Sequence, residues 1–382
     1  MMLHRIRERL GTSGRRRLSE YAAASAALRQ RVRDLLVRVK EQERLLSLAT
    51  GGSAELAHHA ARHARATRTA NQLVRSDRPV VVGPWCGEVG FELLYWIPFV
   101  TWLVERARVD RRRVTVLTRG GAHVWYRHLA DADVEVLDVV STEDFRHHAR
   151  TLKQDSLTSF DRDLLRRAVR GAGLSRPHLL HPQLMYRLFI PYWKEESVTE
   201  RIDAFTRYRP LPPVTDPQVT AGLPVEYVAV KFYFSQAFPD TPANRQFIRN
   251  LVALLSEQSP LVMLSSGARV DDHEDAVIPE SPRVRHVRVD VRNNLAAQTA
   301  VVAGARAFVG TYGGFSYLAP LYGVHALSFF SDRDKLVPFH LAHASRVFAS
   351  MDAGRFVALD VRDASFAGSV LPHVLDEQAV RP

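Results

Sequence analysis

PVVVGPWCGEVGFELLYWIPF, residues 79–99, decides how the rest of the chain is read. A short β-branched run gives way to a loop with Gly83, Gly87 and Gly90. An apolar stretch follows that is long enough for a helix, expected to begin near Phe91. A strand that passes through a glycine loop into a helix is the first half of a parallel βαβ unit. Its loop lies at the C-terminal edge of the strand, where open α/β sheets bind ligands. The loop and the helix start carry two carboxylates, Glu88 and Glu92, and the single cysteine, Cys86.

The same texture continues outward. VTVLT (114–118) and VEVLDVV (134–140) are strand candidates separated by helix-length segments. RPLPPVTDPQVTAGLP (209–224) is too rich in proline for a helix or a central strand. A linker is expected at 211–224, between an α/β domain at 79–210 and another at 225–382. In the latter the alternation resumes with VEYVAVKFYF (225–234), a helix over Pro242–Glu257, LVMLS (261–265) and VRHVRV (284–289). A helix from Asn294, AFVG (307–310), another helix and HALSFF (325–330) complete it. The expected fold class is α/β, with two Rossmann-like domains facing a cleft. A length of 382 residues suits two cores at roughly 100–200 residues per domain.

Charge separates the N-terminal region from this body. The chain carries +11, and residues 1–78 hold 17 Lys/Arg against 7 Asp/Glu, which is +10, leaving +1 for the remainder. Residues 1–78 are expected to form a basic helical extension. Leu18, Tyr21, Ser25, Leu28, Val32, Leu35, Val39 and Leu46 fall near alternating steps of three and four, a coiled-coil-like seam over 18–46. A helix packed on its own body, self-association and contact with an anionic membrane surface all remain open for it. The arm lacks interleaved aromatics and the body lacks a basic excess, so nucleic acid is not the expected partner. A lone cysteine excludes an intrachain disulfide and a multi-cysteine zinc site. No apolar segment of signal-peptide type follows the first residues, and Leu93–Val104 is too short to span a bilayer. A cytoplasmic protein is expected, with peripheral contact at a membrane left open.

Two loops carry the candidate chemistry. In the first, Glu92 lies in the opening helical turn, where it either offsets the helix dipole by about 0.3–1 kcal/mol or acts as a general base. Glu88 is the rival for the base role. Cys86 is read as a packed thiol, since no histidine partner lies nearby in sequence. The second loop is GTYGGFSYLAPLYGV (310–324), in which a strand feeds Thr311, Tyr312, Gly313 and Gly314 before a helix expected to start near Phe315 or Ser316. The first N–H groups of that helix suit a diphosphate. Neither loop has the Lys-Ser/Thr of a P-loop or the spacing of GxGxxG. Lys231, at the end of a strand, either meets the diphosphate or reaches solvent, and Arg245 in TPANRQF (241–247) is a second such candidate. DDHED (271–275) is read as a solvated loop rather than a metal site, with His273 within reach of a donor. His58, His59 and His63 show no ligand spacing with acids.

These loops resemble those of nucleotide-sugar-dependent glycosyltransferases of the GT-B fold, in the heptosyltransferase and fucosyltransferase-like branches. In heptosyltransferases the acidic residue after the first glycine loop stands six residues before a proline, as Glu92 stands to Pro98. The resemblance implies that Glu92 is the catalytic base. Gly314, Ser316, Tyr317, Leu318 and Ala319 match the family's donor loop, and NNLAAQTAVVAGARAFVGTYGG (293–314) is similar to the fucosyltransferase-like pattern. Tyr312 departs from the family, which has an acid before the donor-loop glycine. The resemblance implies a nucleotide-sugar donor as substrate, a glycan or lipid-linked acceptor, and transfer without a cofactor or a bound metal. A sugar-nucleotide epimerase and a non-catalytic scaffold of a glycan assembly are the rival readings.

Overall fold

A computed structural model describes residues 52–149, 154–193, 202–264, 274–287, 289–351 and 353–366. The seam at 18–46 lies outside the described residues. The chain falls into two compact units, Met1–Arg65 and Ala66–Pro382. Of the first unit, the described part is helical and belongs to the helix Gly52–Val74. In the second unit, Ala66, Ala70 and Leu73 of that helix are buried at steps of four and three, so the core begins ahead of residue 78.

The first sheet has four parallel strands: β1 (Val80–Val82), β2 (Val114–Thr118), β3 (Ala132–Glu135) and β4 (His178–Leu180), in the order β3-β2-β1-β4. Further along the chain come β5 (Val228–Lys231), β6 (Tyr233–Phe234), β7 (Leu261–Met263), β8 (Glu274–Asp275), β9 (Val284–His286), β10 (Ala307–Thr311), β11 (His325–Phe330) and β12 (Phe356–Asp360). Six of these form a second parallel sheet, ordered β12-β11-β10-β5-β7-β9, while β6 and β8 pair antiparallel apart from it. Counting strands within each half, both sheets start a new direction beside their own first strand, as doubly wound sheets do. The switch points fall between β1 and β4 and between β5 and β10. The loops leaving β1, β5 and β10 are therefore the ones placed to form a crevice.

Several sequence boundaries shift for local reasons. The strand expected over 134–140 ends at Glu135, and Val136–Val139 is a helical turn. The Glu135 carboxylate stops the strand by accepting the N–H of Leu137 at 3.1 Å and those of Gly120 and Gly121 at 3.0 Å each. VEYVAVKFYF is two strands, because the chain leaves the main sheet after Lys231 to pair Tyr233 and Phe234 with β8. The strands at 261 and 284 stop at Met263 and His286. The first-loop helix starts at Val89, and its Glu92–Trp96 turn is π-helical, continuing as Ile97–Ala107. In the proline-rich 211–224 segment, Leu211 and Val214 are buried, and the Leu211 N–H donates to the Leu321 carbonyl at 2.8 Å. The start of that segment is therefore fastened to the second half.

Strand alternation assigns the apolar side chains to layers. Val80 and Val82 of β1 and Ala229 of β5 join one large cluster that draws on both halves. Val81 faces a separate cluster on the outer side of the first sheet, and Val228 and Val230 face another on the outer side of the second. Strands buried on both faces read as continuous Val/Ala runs, which is why β1 and β5 were legible. Across the shared cluster the Trp125 indole N–H donates to Thr299 Oγ1 at 2.9 Å, with both groups buried.

Candidate functional site

The loops leaving β1 and β10 meet. A Cβ added at Gly314 would lie 2.9 Å from Val89 and 3.0 Å from the Gly90 nitrogen, so the two turns touch because residue 314 has no side chain. Gly313 has φ +142°, and a Cβ there would collide with Tyr233 Oη. Its N–H donates to Ser316 Oγ at 3.1 Å, and that hydroxyl donates back to the Gly313 carbonyl at 2.6 Å. The helix Gly314–Leu321 therefore starts at Gly314, with Ser316 closing its first turn.

Where the turns meet, the C-terminal edges of both sheets enclose a cavity of about 250 Å³. Glu88, Arg119, Lys231, Asp275, Asn294 and Gln298 give its polar wall, and Phe91, Tyr95, Leu336, Val337 and His340 give an apolar one. Glu88 is exposed. Glu92, four residues on, is not in the lining and is fully buried. Its Oε2 accepts from Arg119 Nη1 at 2.7 Å and its Oε1 from the Tyr126 hydroxyl at 2.7 Å. Burial pushes the Glu92 carboxyl upward, against the pull of the Arg119 guanidinium. Arg119 Nη2 also donates to the Gly87 carbonyl at 2.9 Å. Glu92 is thus joined to the loop through Arg119, while Glu88 lines the cavity.

Lys231 lines the cavity, but its ammonium is engaged. It donates to the Leu264 carbonyl at 2.7 Å, Gln298 Oε1 at 3.1 Å and Asp275 Oδ1 at 3.2 Å, and lies 4.9 Å from the centre of the Phe315 ring. Three acceptors match the three protons of an ammonium. Its side chain lines the cavity with each proton matched to an acceptor of the chain. Gln298 turns its amide N–H to Asn294, so β5, β8 and the helix Asn294–Gly304 share one polar chain. Of DDHED, Asp275 belongs to that chain rather than to a solvated loop; residues 271–273, with His273, lie outside the described residues.

The other sequence candidates divide. Tyr312, Gly313 and Gly314 line the cavity, and burial pushes the Tyr312 hydroxyl up to about 12. Thr311 is buried, exchanging hydrogen bonds with the Tyr233 backbone at 2.9 and 3.1 Å. Ser316 is also buried and acts as the cap. Arg245 is exposed, paired with Asp240 at 2.5 Å and placed over Phe234, away from the lining. Cys86 lines the cavity, and burial pushes its thiol up, which keeps it protonated. The side chains of His58, His59 and His63 lie outside the described ones. Among the described residues no group of three His, Cys, Asp or Glu is placed to share a metal ion. No described helix is long and apolar enough to cross a membrane.

Sequence reading missed Arg119, Tyr95, Asn294, Gln298 and His340. Arg119 follows β2 directly, as Lys231 closes β5, so the end-of-strand rule that found Lys231 reaches Arg119 too. Asn294 and Gln298 are polar residues at i and i+4 on a largely apolar helix, which places them side by side. Tyr95 and His340 are 245 residues apart, with Tyr95 Oη 2.6 Å from His340 Nδ1, and nothing local announces that pairing.

No family model matches the sequence, and no curated protein does. Solved structures similar to the chain include E. coli ADP-heptose LPS heptosyltransferase II, at 13% identity and a TM-score of 0.39 over 74% of this chain and 89% of that one. An E. coli heptosyltransferase solved with ADP has 12% identity and a TM-score of 0.40, over 77% of this chain and 99% of that one. A family 9 glycosyl transferase from Veillonella parvula has 13% identity and a TM-score of 0.39, over 80% and 91%.

Proposed function

We propose that the chain is a glycosyltransferase of GT-B architecture, moving a sugar from a nucleotide-sugar donor to a hydroxyl of a glycan or lipid-linked acceptor. The observation that carries this reading is one cavity, at the C-terminal edges of two doubly wound sheets, lined by both Glu88 and the first turn of the helix Gly314–Leu321. Glu88 takes the proton of the acceptor hydroxyl as that oxygen attacks the donor's anomeric carbon. The bond to the diphosphate breaks, and the helix start at Gly314 stabilises the charge that leaves. Arg119 and Glu92 fix the Gly87 carbonyl, and with it the loop that presents Glu88.

A thermal-shift panel of nucleoside diphosphates and nucleotide sugars identifies the donor class, since a ligand bound to the native state raises apparent stability. With that donor, Glu88→Gln is expected to lower turnover by about 10²–10⁴-fold while donor affinity stays near wild type. Near-normal turnover in that variant removes Glu88 from the base role. A folded protein that shifts with no nucleotide removes the transferase reading altogether.

A further inference from the structure

Resting on that reading, we infer that the cavity takes an amphiphilic acceptor, whose accepting hydroxyl lies beside an apolar group seated against Phe91, Tyr95, His340, Leu336 and Val337. The lining contains two kinds of side chain. Glu88, Arg119, Lys231, Asp275, Asn294 and Gln298 are charged or hydrogen-bonding. Phe91, Tyr95, Leu336 and Val337 offer mainly carbon, with His340 and Lys335 lining the cavity beside them. Tyr95 Oη and His340 Nδ1 are bound to each other at 2.6 Å, which engages the Tyr95 hydroxyl and one imidazole nitrogen within the wall. Phe91 lies edge-on to His340 at 5.1 Å and to Trp193 at 5.3 Å, so the aromatic wall is braced from behind.

The lip over this wall is the segment Lys335–Pro338, in which Leu336 is half-buried and Val337 is 46% exposed. A single exposed valine is ordinary. Here Leu336, Val337 and Pro338 are consecutive, and the turn that carries them is pinned. Arg333 is paired with Asp360 at 2.6 Å and with Asp363 at 2.9 Å, and the Ser331 and Asp332 N–H groups donate to the Ala237 carbonyl at 2.9 and 3.0 Å. An anchored turn that holds apolar side chains at a cavity mouth is built for contact with carbon. A purely polyhydroxylated acceptor would leave these side chains wet and would strip water from its own hydroxyls against a wall with few partners for them. An alkyl or aryl group next to the accepting sugar removes both costs.

The test titrates the full chain calorimetrically with methyl, butyl and octyl β-glucoside, each below its micelle concentration. Affinity is expected to rise with chain length by up to about fourfold for each methylene buried, with a negative heat-capacity change for the octyl compound. Val337→Asp and Leu336→Asn fall on a pinned turn at the cavity mouth, and each is expected to weaken octyl glucoside binding at least tenfold while the thermal midpoint stays within a few degrees. Equal affinity for the methyl and octyl compounds, or octyl binding unchanged in both variants, overturns the inference. Running the nucleotide panel on the same samples separates the two claims. A nucleotide shift without an octyl preference sinks the apolar subsite alone, and an octyl preference without any nucleotide shift keeps the subsite and sinks transfer.

Discussion

Each half of the cavity floor holds a cation against a carboxylate, and the two pairs differ in how dry they are. In the first half, the side chains of Arg119 and Glu92 are 5% and 0% exposed, and Tyr126 takes the remaining carboxylate oxygen. In the second, Lys231 is 8% exposed but its partner Asp275 keeps 23% of its surface. A fork of two guanidinium nitrogens joins Glu92 to the Gly87 carbonyl, whereas a point-like ammonium divides itself among a carbonyl, an amide and a carboxylate. The dry pair holds a loop in place. The wetter pair leaves a carboxylate within reach of whatever enters.

The sharpest way to break this comparison is to remove one cation at a time. Arg119→Met strands a buried carboxylate and is expected to cost about 3–5 kcal/mol of folding stability. Adding Glu92→Leu to it should recover most of that loss, because no uncompensated charge then remains. Lys231→Met is expected to cost less, about 1–3 kcal/mol, since Asp275 can rehydrate and only the Leu264 carbonyl and Gln298 lose a donor. Urea denaturation of the three variants decides the matter, and equal losses for the two single cation deletions would mean that Asp275 is as dry as Glu92.

Acid probes the packing around the pairs. His343 is buried between Tyr95 and Phe339, its Nδ1 accepting from Arg346 at 3.1 Å. Its Nε2 must then carry the proton and donate to Tyr208 Oη at 2.7 Å, while that hydroxyl donates to the Leu94 carbonyl at 2.8 Å. Burial lowers His343 to about 3, and His128 to about 4. Because these folded values lie below the ordinary one near 6.5, the unfolded chain binds more protons between them. Stability is full above that value and falls as pH drops toward 4, by up to about 1.4 kcal/mol per pH unit for each histidine. His343→Gln is expected to flatten the slope by one histidine's share, and an unchanged slope would place the acid sensitivity elsewhere.

The smallest expected effect is that of Glu88→Gln on stability, within about 0.5 kcal/mol, because the residue is exposed and lies outside both pairs. A loss comparable to that of Lys231→Met would show that Glu88 holds the loop as well as facing the cavity.

Residues 83–90 and 310–314 were legible because glycines after a β-branched run mark a turn whatever the partner. The strands β1, β2, β5, β10 and β11 were legible because double-sided burial leaves unbroken apolar runs. β4 and β12 were not. Edge strands are half-covered, and the burial of β4 and β12 is mixed, so their sequences carry no such run. The choice between Glu88 and Glu92 was equally out of reach, since both are glutamates one helical turn apart.

The sequence by itself determined the α/β alternation, the two glycine turns and the basic N-terminal region, all of which are written in local composition and period. Only the tertiary structure decided which carboxylate faces the cavity and which is tied to Arg119, and that Lys231 is already satisfied. It also brought His340 to Tyr95. Those outcomes depend on which atoms 27 to 245 residues apart come within 3.2 Å, and a hydrogen bond of that range leaves no periodic trace in the chain that makes it.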